Sequence, residues 1–594
     1  MELKLNLKQQ EAAEHKDGPL LITAGAGSGK TKTLVSRLLK LLESDVIPEK
    51  IVAITFTNKA ANEIKKRVAA IKKNQNYQPF IGTIHSFGAQ IIKQEAPYFG
   101  RTKNFTIFDD EDSLSLIKRI LKDRDLPKER FNPLAIMAKI SDIKSELKDV
   151  GEENENAYDS KLAAIFNVYE SELKKNNAFD FDDLIEKPVR IFQKEKDVLE
   201  KYQKKFDYIM VDEYQDINIA QYFLIKLLAQ KHGNIFVIGD DAQSIYSFRG
   251  SDFRIFLNFD HDWPEAKIIK LEENYRSDGN IIKASSSLIK NNSLQKPKDL
   301  WTKNQDGESI KVFAYQDAEQ EAWGICENIL EKIKNGDKLE DMAILYRTNA
   351  QSRAIEQAFL QNKIPYEIFG GLKFYGRKEI KDLVAGIRFA FNPNDSVSAE
   401  RIKKTFKREK GLYLLDNLPR LAGELSIVEL INFFMESTDY FAYLENNFRN
   451  YNDRKENIRE LINFAASYQN PHDFLENISL MSASDGKPKL ITESVKLMTI
   501  HMAKGLEFKN IFIAGCNEGL LPHEQSLIKK DDLEEERRLM YVAMTRAKKN
   551  LFINFYNLPS RFLGELPPEL IEFKKVSEYG IENKDWDEDT IYLE

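Results

Sequence analysis

The feature that most constrains this chain is a glycine-rich turn set between an apolar segment and a helical pattern. The turn reads Ala24-Gly25-Ala26-Gly27-Ser28-Gly29-Lys30-Thr31, after the apolar segment 20–23 and before Lys32 and a leucine-rich stretch. This context fits the P-loop template, in which backbone N–H groups and a helix N-terminus face one anion. We expect Lys30 to reach the β- and γ-phosphates and the Thr31 hydroxyl to ligate Mg²⁺. The sequence therefore predicts that residues 24–32 bind a nucleoside triphosphate.

The amino-acid composition indicates the general class of protein but not what the protein binds. The 594 residues are 42% hydrophobic and 30% charged, with a net charge of −7, which describes an ordinary protein of several domains. Cys326 and Cys516 are the only cysteines, too few for a disulfide framework or a zinc site. No apolar run approaches the ~20 residues that cross a bilayer, and no export signal is visible. We expect a cytoplasmic protein without a membrane partner.

Two sets of apolar, β-rich segments alternate with helical patterns along the chain. The first set comprises 20–23, 51–57, 207–212 and 235–239, and the second comprises 310–315, 342–347, 495–500, 511–515 and 551–556. Continuous apolar strands between helices are typical of parallel sheets covered on both faces. The sequence therefore predicts an α/β fold with two parallel-sheet cores. Lys- and Glu-rich stretches at about 101–178 and about 376–493 are predicted to be helical insertions, and 576–594 to be an acidic, weakly ordered tail.

A pair of carboxylates follows the third apolar segment of the first set. Asp212 and Glu213 end the run 206–213, at the sheet edge where α/β proteins bind ligands. Asp212 can hold Mg²⁺ and Glu213 can polarise the water that attacks the γ-phosphate. Such a pair is also common as a helix cap, but the P-loop favours hydrolysis.

Three further side chains are candidates for contact with the γ-phosphate. Gln243 follows another strand and could sense the phosphate, whereas the alternative is a surface amide. Arg276 and Arg546 could stabilise charge on the departing phosphate, although arginines on amphipathic helices are more often surface ion pairs.

Further motifs follow one another in a fixed order over nearly the whole chain. They are Leu5-Asn6-Leu7-Lys8-Gln9-Gln10, Thr55-Phe56-Thr57-Asn58-Lys59-Ala60-Ala61, Gly82-Thr83-Ile84-His85-Ser86-Phe87, Phe179-Asp180-Phe181-Asp182-Asp183-Leu184, Tyr346-Arg347-Thr348-Asn349-Ala350-Gln351-Ser352-Arg353, Thr499-Ile500-His501-Met502-Ala503-Lys504-Gly505-Leu506-Glu507-Phe508 and Thr545-Arg546-Ala547. Together with the P-loop, this ordered set resembles the UvrD/Rep-type superfamily 1A DNA helicases.

The resemblance implies a domain plan and a role for each motif. It implies two RecA-like P-loop NTPase lobes: 1A at 1–100 and 179–272, with insertion 1B at 101–178, and 2A at 273–375 and 494–575, with insertion 2B at 376–493. Gln9 would read adenine, Tyr275 would stack on it and Glu507 would hold the ribose. Single-stranded DNA would contact Phe56, His85, Phe181, Tyr246, Phe248, Arg249, Asn349, Arg353 and His501. Aromatic faces that stack on bases, with cations beside them, are typical of single-strand binding.

Some positions depart from the family pattern. Ala242 stands where relatives usually carry Asp, and Phe248 where they carry Trp. The Gly-Ile-Gly hairpin with which relatives grip duplex DNA is not recognisable, and the matching stretch 406–413 contains only Gly411. We expect neither the C-terminal extension of larger members nor a fused nuclease, since no nuclease motif is recognisable.

The function that the resemblance implies is an ATP- and Mg²⁺-dependent motor that moves 3′→5′ on single-stranded DNA and unwinds duplex DNA at single-strand/double-strand junctions. Repair, recombination or replication would be its setting, with self-association or an accessory protein aiding unwinding. One alternative is a translocase that displaces bound proteins and unwinds little. Another is a nucleotide-gated binding module with negligible hydrolysis, which the full set of candidate catalytic residues disfavours.

Overall fold

The computed structural model describes residues 4–44, 46–71, 78–127, 131–150, 157–369, 374–406, 408–471, 473–475, 478, 493–577 and 580–583. The chain divides into two compact units. The first unit runs to Arg276 and also takes in Asn292–Lys303, and the second comprises Ser277–Asn291 and the chain from Asn304 onward.

The described strands of the first unit build one main parallel sheet and two short strand pairs. The main sheet has the order β3-β2-β6-β7-β1-β8 and all its neighbours are parallel. The strands are β1 Leu20–Ala24, β2 Ile51–Thr55, β3 Phe80–Thr83, β4 Thr106–Phe108, β5 Ala178–Asp180, β6 Tyr208–Val211, β7 Ile235–Gly239, β8 Lys267–Leu271, β9 Glu273–Asn274 and β10 Trp301–Thr302. The helices are α1 Leu7–Glu14, α2 Lys30–Glu43, α3 Asn58–Ile71, α4 Ile84–Glu95, α5 Asp110–Asp123, α6 Pro133–Ser145, α7 Ala157–Lys175, α8 Asp183–Lys194, α9 Lys196–Lys205, α10 Ile219–Ala229, α11 Arg254–Leu257 and α12 Phe259–Asp262.

The central strands β1, β2 and β7 of this sheet are buried on both faces because they are apolar along most of their length. Leu21 and Val237 belong to the core on one face, whereas Leu20 and Ile22 belong to the core on the other. Side chains alternate along a strand, so the continuous apolar segments of the sequence supply both cores. The parallel α/β class predicted from these segments is confirmed.

The first helical stretch has a core of its own. Helices α5, α6 and α7 enclose apolar residues such as Ile117, Phe131 and Leu173. A short parallel pair, β4 with β5, lies at the beginning and end of this stretch.

The described strands of the second unit form a sheet in the order β13-β14-β12-β15-β16-β11-β17-β18. All its pairs are parallel except β17 with β18. The strands are β11 Ile310–Tyr315, β12 Met342–Tyr346, β13 Tyr366–Ile368, β14 Val495–Thr499, β15 Phe508–Ile513, β16 Ala547–Tyr556, β17 Ile571–Ser577 and β18 Gly580–Asn583. The helices are α13 Gly279–Ile289, α14 Ala318–Lys334, α15 Ser352–Gln361, α16 Lys378–Phe391, α17 Ser396–Thr405, α18 Arg408–Leu421, α19 Ile427–Thr438, α20 Tyr440–Asn447, α21 Tyr451–Ala466, α22 Ile500–Ala503 and α23 Lys530–Met544.

The second helical stretch, α16 to α21, packs around one apolar cluster that includes Leu383, Phe434 and Leu461. Gly411 lies inside α18. A Cβ at this position would be 3.6 Å from the Ile402 carbonyl oxygen, an ordinary contact distance, so the packing of α18 on α17 does not require glycine here. The stretch 406–413 is therefore not a glycine hairpin in its described residues, and Lys407 lies outside them.

Two details differ from the expectations. The border between the units follows Arg276 rather than residue 272, and Asn292–Lys303 returns to the first unit, because β10 pairs with β9 there. The predicted weakly ordered tail is wrong in its first part, since Lys574–Ser577 pair with Gly580–Asn583 at the sheet edge. Residues 584–594 lie outside the described part of the chain. Within the described residues, no helix combines the length and the apolarity needed to cross a membrane.

Candidate ATP and DNA sites

The predicted P-loop joins β1 to α2, so it lies at the carboxyl edge of the first sheet. Gly29 caps α2 with a φ of 84°, a left-handed conformation that favours glycine. A Cβ on Gly29 would lie 2.7 Å from the Gln9 amide nitrogen. Lys30 and Thr31 are the first two residues of α2, where free N–H groups and the helix dipole favour an anion.

The first helix braces this loop. The Gln9 amide donates to the Ser28 carbonyl at 2.9 Å, and the backbone N–H of Asn6 donates to the Gln9 side-chain oxygen at 3.1 Å. Asn6 also donates to the Tyr275 hydroxyl at 2.7 Å. The structure thus brings together the two residues that were predicted to contact adenine, with Gln9 bonded to the P-loop backbone.

The segment around Arg276 packs on the other side of the loop. Asn274 donates to the Ala26 carbonyl at 2.6 Å, and the Tyr275 N–H donates to the Gly27 carbonyl at 3.0 Å. Asn274 also accepts the Arg276 N–H at 2.8 Å. Arg276 is therefore anchored beside the P-loop of its own unit.

Asp212 and Glu213 follow β6 at the same sheet edge. Burial and the neighbouring Glu213 carboxylate raise the pKa of Asp212, while Lys30 opposes this shift. Glu213 has a φ of 52°, a conformation that is strained for a side chain other than glycine and that is concentrated at functional sites. The buried Asp212 and the half-buried Glu213, together with Lys30, fit a site for phosphates and a hard cation.

Gln243 and the acid pair are connected through buried side chains. The Gln243 amide donates to Asp240 at 2.6 Å, and the Asp240 N–H donates to Gln215 at 3.0 Å. Gln215 in turn donates to Glu213 at 2.6 Å. A Cβ on Gly239 would collide with the Gln215 side-chain oxygen, so this approach requires glycine. The two loops that follow β6 and β7 are therefore joined by side-chain hydrogen bonds.

Exposed aromatic rings line the same edge. Phe56 stacks on Tyr246 with centroids 5.2 Å apart, and Tyr246 contacts Phe248 at 6.0 Å. The Arg249 guanidinium lies 5.5 Å from the centroids of Tyr246 and Phe248. Phe56 is 38% exposed and Phe248 is 65% exposed. Rings that form a buried core would not be exposed in this way, so the arrangement favours stacking on bases.

A second stack pairs His85 with Phe181 at 4.2 Å, and Phe181 is 52% exposed. Burial lowers the pKa of His85 to about 4, so its ring is neutral at physiological pH. The backbone around Phe181 is fixed by Asp180 and Asp183, whose carboxylates both contact the fully buried Lys144, at 2.6 and 2.7 Å.

In the second unit, the predicted ATP and DNA residues lie at opposite edges of the sheet. Glu507 and Arg546 directly precede β15 and β16, whereas Asn349 and His501 follow the ends of β12 and β14. Arg546 is 1% exposed, and its guanidinium donates to the carbonyls of Val542 and Leu506 at 3.0 and 3.3 Å and to the Thr545 hydroxyl at 3.1 Å. These contacts bring Arg546 next to the segment that carries Glu507.

Arg353 does not have the exposed position expected of a phosphate ligand. It is 4% exposed, donates to Glu460 at 2.6 Å and lies 4.5 Å from the Phe464 ring centroid. The carboxylate and the ring belong to α21, so Arg353 joins the helical insertion to the sheet. The predicted contact between Arg353 and DNA stays a prediction, and these partners do not favour it.

Comparison with known proteins agrees with this geometry. The model of the UvrD/REP helicase N-terminal domain matches residues 5–264, and the model of the UvrD-like helicase C-terminal domain matches residues 269–453 and 444–557. The chain belongs to the UvrD/Rep helicase family. Proteins named ATP-dependent DNA helicase PcrA in Staphylococcus aureus and Staphylococcus epidermidis are similar to it. Both are 40% identical to it, over 636 and 635 residues that cover 96% of this chain and 87% of each relative.

The two departures from the UvrD/Rep pattern have little effect on the geometry around them. Ala242 is buried and uses its backbone N–H to bond Asp240 at 3.2 Å. Phe248 keeps an exposed ring face beside Arg249. Neither change removes a contact described above.

Two residues near the predicted ATP site of this chain had no predicted role. Gln215 links Glu213 to Asp240, and its place within the acidic run was the only sequence signal. Lys298 pairs with Asp240 at 2.8 Å and also contacts Asp241. An isolated lysine in a polar segment carries no motif, so only the fold reveals this contact.

Proposed function

We propose that this UvrD/Rep family member is an ATP-dependent DNA helicase that moves 3′→5′ on single-stranded DNA and unwinds duplex DNA. The observation that carries the proposal is that one sheet edge holds both the P-loop with its acid pair and the exposed aromatic stacks. The names of the relatives point to the same activity. The direction of movement rests on the family resemblance alone.

The ATP site has the parts that phosphoryl transfer requires, which are mainly positioning and stabilisation of charge. Lys30 lies at the N-terminus of α2 and is proposed to bind the β- and γ-phosphates, and Glu213 is proposed to orient the attacking water. Gln243, Arg276 and Arg546 are proposed to contact the γ-phosphate during hydrolysis. Gln9 and Tyr275 are proposed to bind the base and Glu507 the ribose.

The donor set also fits Mg²⁺. The Thr31 hydroxyl and the buried Asp212 carboxylate are hard oxygen ligands of the kind that Mg²⁺ prefers. Within the described ranges, no cluster of three or more His, Cys, Asp or Glu side chains could hold a metal by itself, and a Mg²⁺ bound with nucleotide needs only one or two carboxylates. When bound, the ion would neutralise charge on the phosphates.

The DNA track is proposed to use the stacked pairs Phe56–Tyr246 and His85–Phe181 as platforms for bases. Each base stacked on an aromatic ring contributes ~1–3 kcal/mol without regard to sequence. Arg249 adds a cation beside two of the rings. Asn349 and His501 are proposed to extend the track along the second unit.

The alternative function, displacement of bound proteins with little unwinding, is favoured by one observation. Gly411 lies in a helix, where relatives are expected to have a duplex-gripping hairpin. Junction recognition, aided by self-association or an accessory protein, would then be needed for unwinding. We place the enzyme in the cytoplasm, at the DNA on which it acts.

The test compares ATP hydrolysis with and without single-stranded DNA in the wild type, Lys30→Ala and Glu213→Gln. We expect DNA to stimulate the wild type strongly, Lys30→Ala to be inactive, and Glu213→Gln to bind ATP without hydrolysing it. The control Glu200→Gln alters an exposed helical carboxylate and should behave as wild type. Unwinding of duplexes with a 3′ or a 5′ tail then reports direction. Hydrolysis that is equal with and without DNA, or a preference for the 5′ tail, would contradict the proposal.

A further inference from the structure

Lys298 is a buried cation in the segment Asn292–Lys303 that returns to the first unit. Its side chain is 6% exposed, and its ammonium lies 2.8 Å from an Asp240 oxygen and in contact with Asp241. Lysine is rarely buried unless it is paired. The two carboxylates therefore hold Lys298 in place, and Lys298 neutralises them.

Asp240 connects this cation to the hydrolytic residues. The carboxylate oxygen that Lys298 leaves free accepts a hydrogen bond from Gln243 at 2.6 Å. Through its backbone N–H, the same residue holds Gln215, which donates to Glu213 at 2.6 Å. A continuous chain of short bonds thus runs from Lys298 to both side chains proposed to act at the γ-phosphate.

The orientation of Asp240 depends on this charge. Burial favours the neutral carboxyl, but Lys298 and Lys30 together outweigh burial and hold the pKa of Asp240 below its ordinary value. Removing Lys298 would leave a buried carboxylate without its partner, which is strongly unfavourable. Asp240 would then reorient, and Gln243 would lose its fixed acceptor.

The segment that carries Lys298 is itself held firmly in the unit. The Lys296 N–H donates to Asp241 at 3.1 Å, and Trp301 pairs with Glu273 between β10 and β9. Leu300 packs directly over Gly25 of the P-loop. The position of the ammonium is therefore set by the backbone as well as by the ion pair.

We propose that Lys298 is a positioning residue for ATP hydrolysis, which orients Gln243 through Asp240 and Glu213 through Asp240 and Gln215. The inference rests on the proposed function, because it takes Gln243 and Glu213 as residues of the hydrolytic site. It adds a residue outside the motifs quoted in the sequence analysis.

The experiment measures kcat and KM for ATP with saturating single-stranded DNA, together with the affinity for a fluorescent ATP analogue. Lys298→Met removes the charge and keeps the length of the side chain. We expect kcat to fall at least tenfold, while KM and analogue affinity change less than about threefold, because the P-loop contacts remain. Lys298→Arg should restore kcat to within about threefold of the wild type. Lys296→Met is the matched control, since its ammonium pairs with Asp260 instead, and should keep wild-type kcat.

A double-mutant cycle separates positioning from a structural ion pair. If Lys298 acts through Gln243, Lys298→Met should reduce kcat far less in a Gln243→Ala background than in the wild type. Circular dichroism verifies the fold, and Lys298→Gln, which keeps a donor for Asp240, replaces Lys298→Met if that variant is unfolded. Wild-type kcat in the folded variant, or equal losses in both backgrounds, would overturn the inference. Lack of DNA-stimulated hydrolysis in the wild type would instead overturn the proposed function.

Discussion

The rings of Phe56 and Tyr246 lie face to face, with centroids 5.2 Å apart and planes 12° apart. The two residues follow β2 and β7, which are separated in the sheet by β6. The stack therefore spans the loops of separate strands. It lies at the edge that also holds Asp212 and Gln243, so a shift of these loops on ATP binding would move the rings.

Replacing Phe56 with Ala should weaken binding of single-stranded DNA. Loss of one stacking face is expected to reduce affinity by about 5- to 150-fold, the equivalent of ~1–3 kcal/mol. Affinity for ATP should stay unchanged, because the P-loop is untouched. Fluorescence anisotropy with a labelled oligonucleotide measures the first quantity. The control Tyr98→Ala removes another exposed ring, which lies outside the proposed DNA track. Equal losses of DNA affinity in the two variants would show that Phe56 does not bind a base specifically.

His85 should act as a flat neutral ring and not as a cation. Its pKa is lowered to about 4 by burial, so it carries no charge between pH 6 and 8. His85→Phe should keep DNA affinity within about threefold, whereas His85→Ala should weaken it by about 5-fold or more. The slope of log Kd against log salt should be the same in wild type and His85→Phe, because no phosphate contact is lost. A slope that falls by about one unit would show that His85 binds phosphate as a cation.

The sheet strands and the ATP site could be predicted because both leave local signals. Apolar segments separated by helical patterns indicated β1, β2, β6 and β7, and the glycine-rich motif between β1 and α2 indicated the position of the ATP site. The edge strand β8 was missed because Lys267 and Lys270 interrupt its apolar character. Strand β3 was also missed, since its four residues are short and only partly apolar.

Contacts between distant segments could not be read from the sequence. Arg353 matches the expected DNA motif, yet Glu460 and Phe464 of the insertion bury it. Lys144 is bound by Asp180 and Asp183, more than 30 positions away. Contacts with distant segments determine whether such a cation is exposed to solvent or paired in the interior. The neighbouring residues in the sequence give no signal of which will occur.

Glu321 should make the stability of the second unit depend on pH. Burial raises the pKa of Glu321 to about 8, although the Gly515 N–H at 2.8 Å opposes the shift. The folded chain then keeps a proton that the unfolded chain releases above its ordinary pKa of 4.5. Raising the pH from 5 to 8 therefore favours unfolding, by at most about 1.4 kcal/mol per pH unit.

Glu321→Gln removes this proton linkage and keeps an acceptor for Gly515. We expect its unfolding midpoint in denaturant to exceed that of the wild type increasingly between pH 5 and pH 8. Glu331→Gln, an exposed change on the same helix α14, should follow the wild type at every pH. A constant difference between Glu321→Gln and wild type across this range would show that Glu321 is ionised in the folded state.

A single copy of the protein should translocate on single-stranded DNA faster than it unwinds duplex. Opening each base-pair step costs ~1.4 kcal/mol of stacking free energy. Contacts with the duplex ahead of the enzyme help to apply the free energy of ATP hydrolysis at the junction. Where the family hairpin was expected, Gly411 lies within the helix α18. The measurement is single-turnover unwinding of a 3′-tailed duplex at one protein per substrate, beside stopped-flow translocation on the same single strand. Unwinding should be several-fold slower than translocation and should rise when a second copy is loaded on a longer tail. Rapid, processive unwinding by one copy would show that another surface binds the duplex. In that case, the unwinding rate of Gly411→Ala, which should translocate like the wild type, would report whether α18 contributes to that surface.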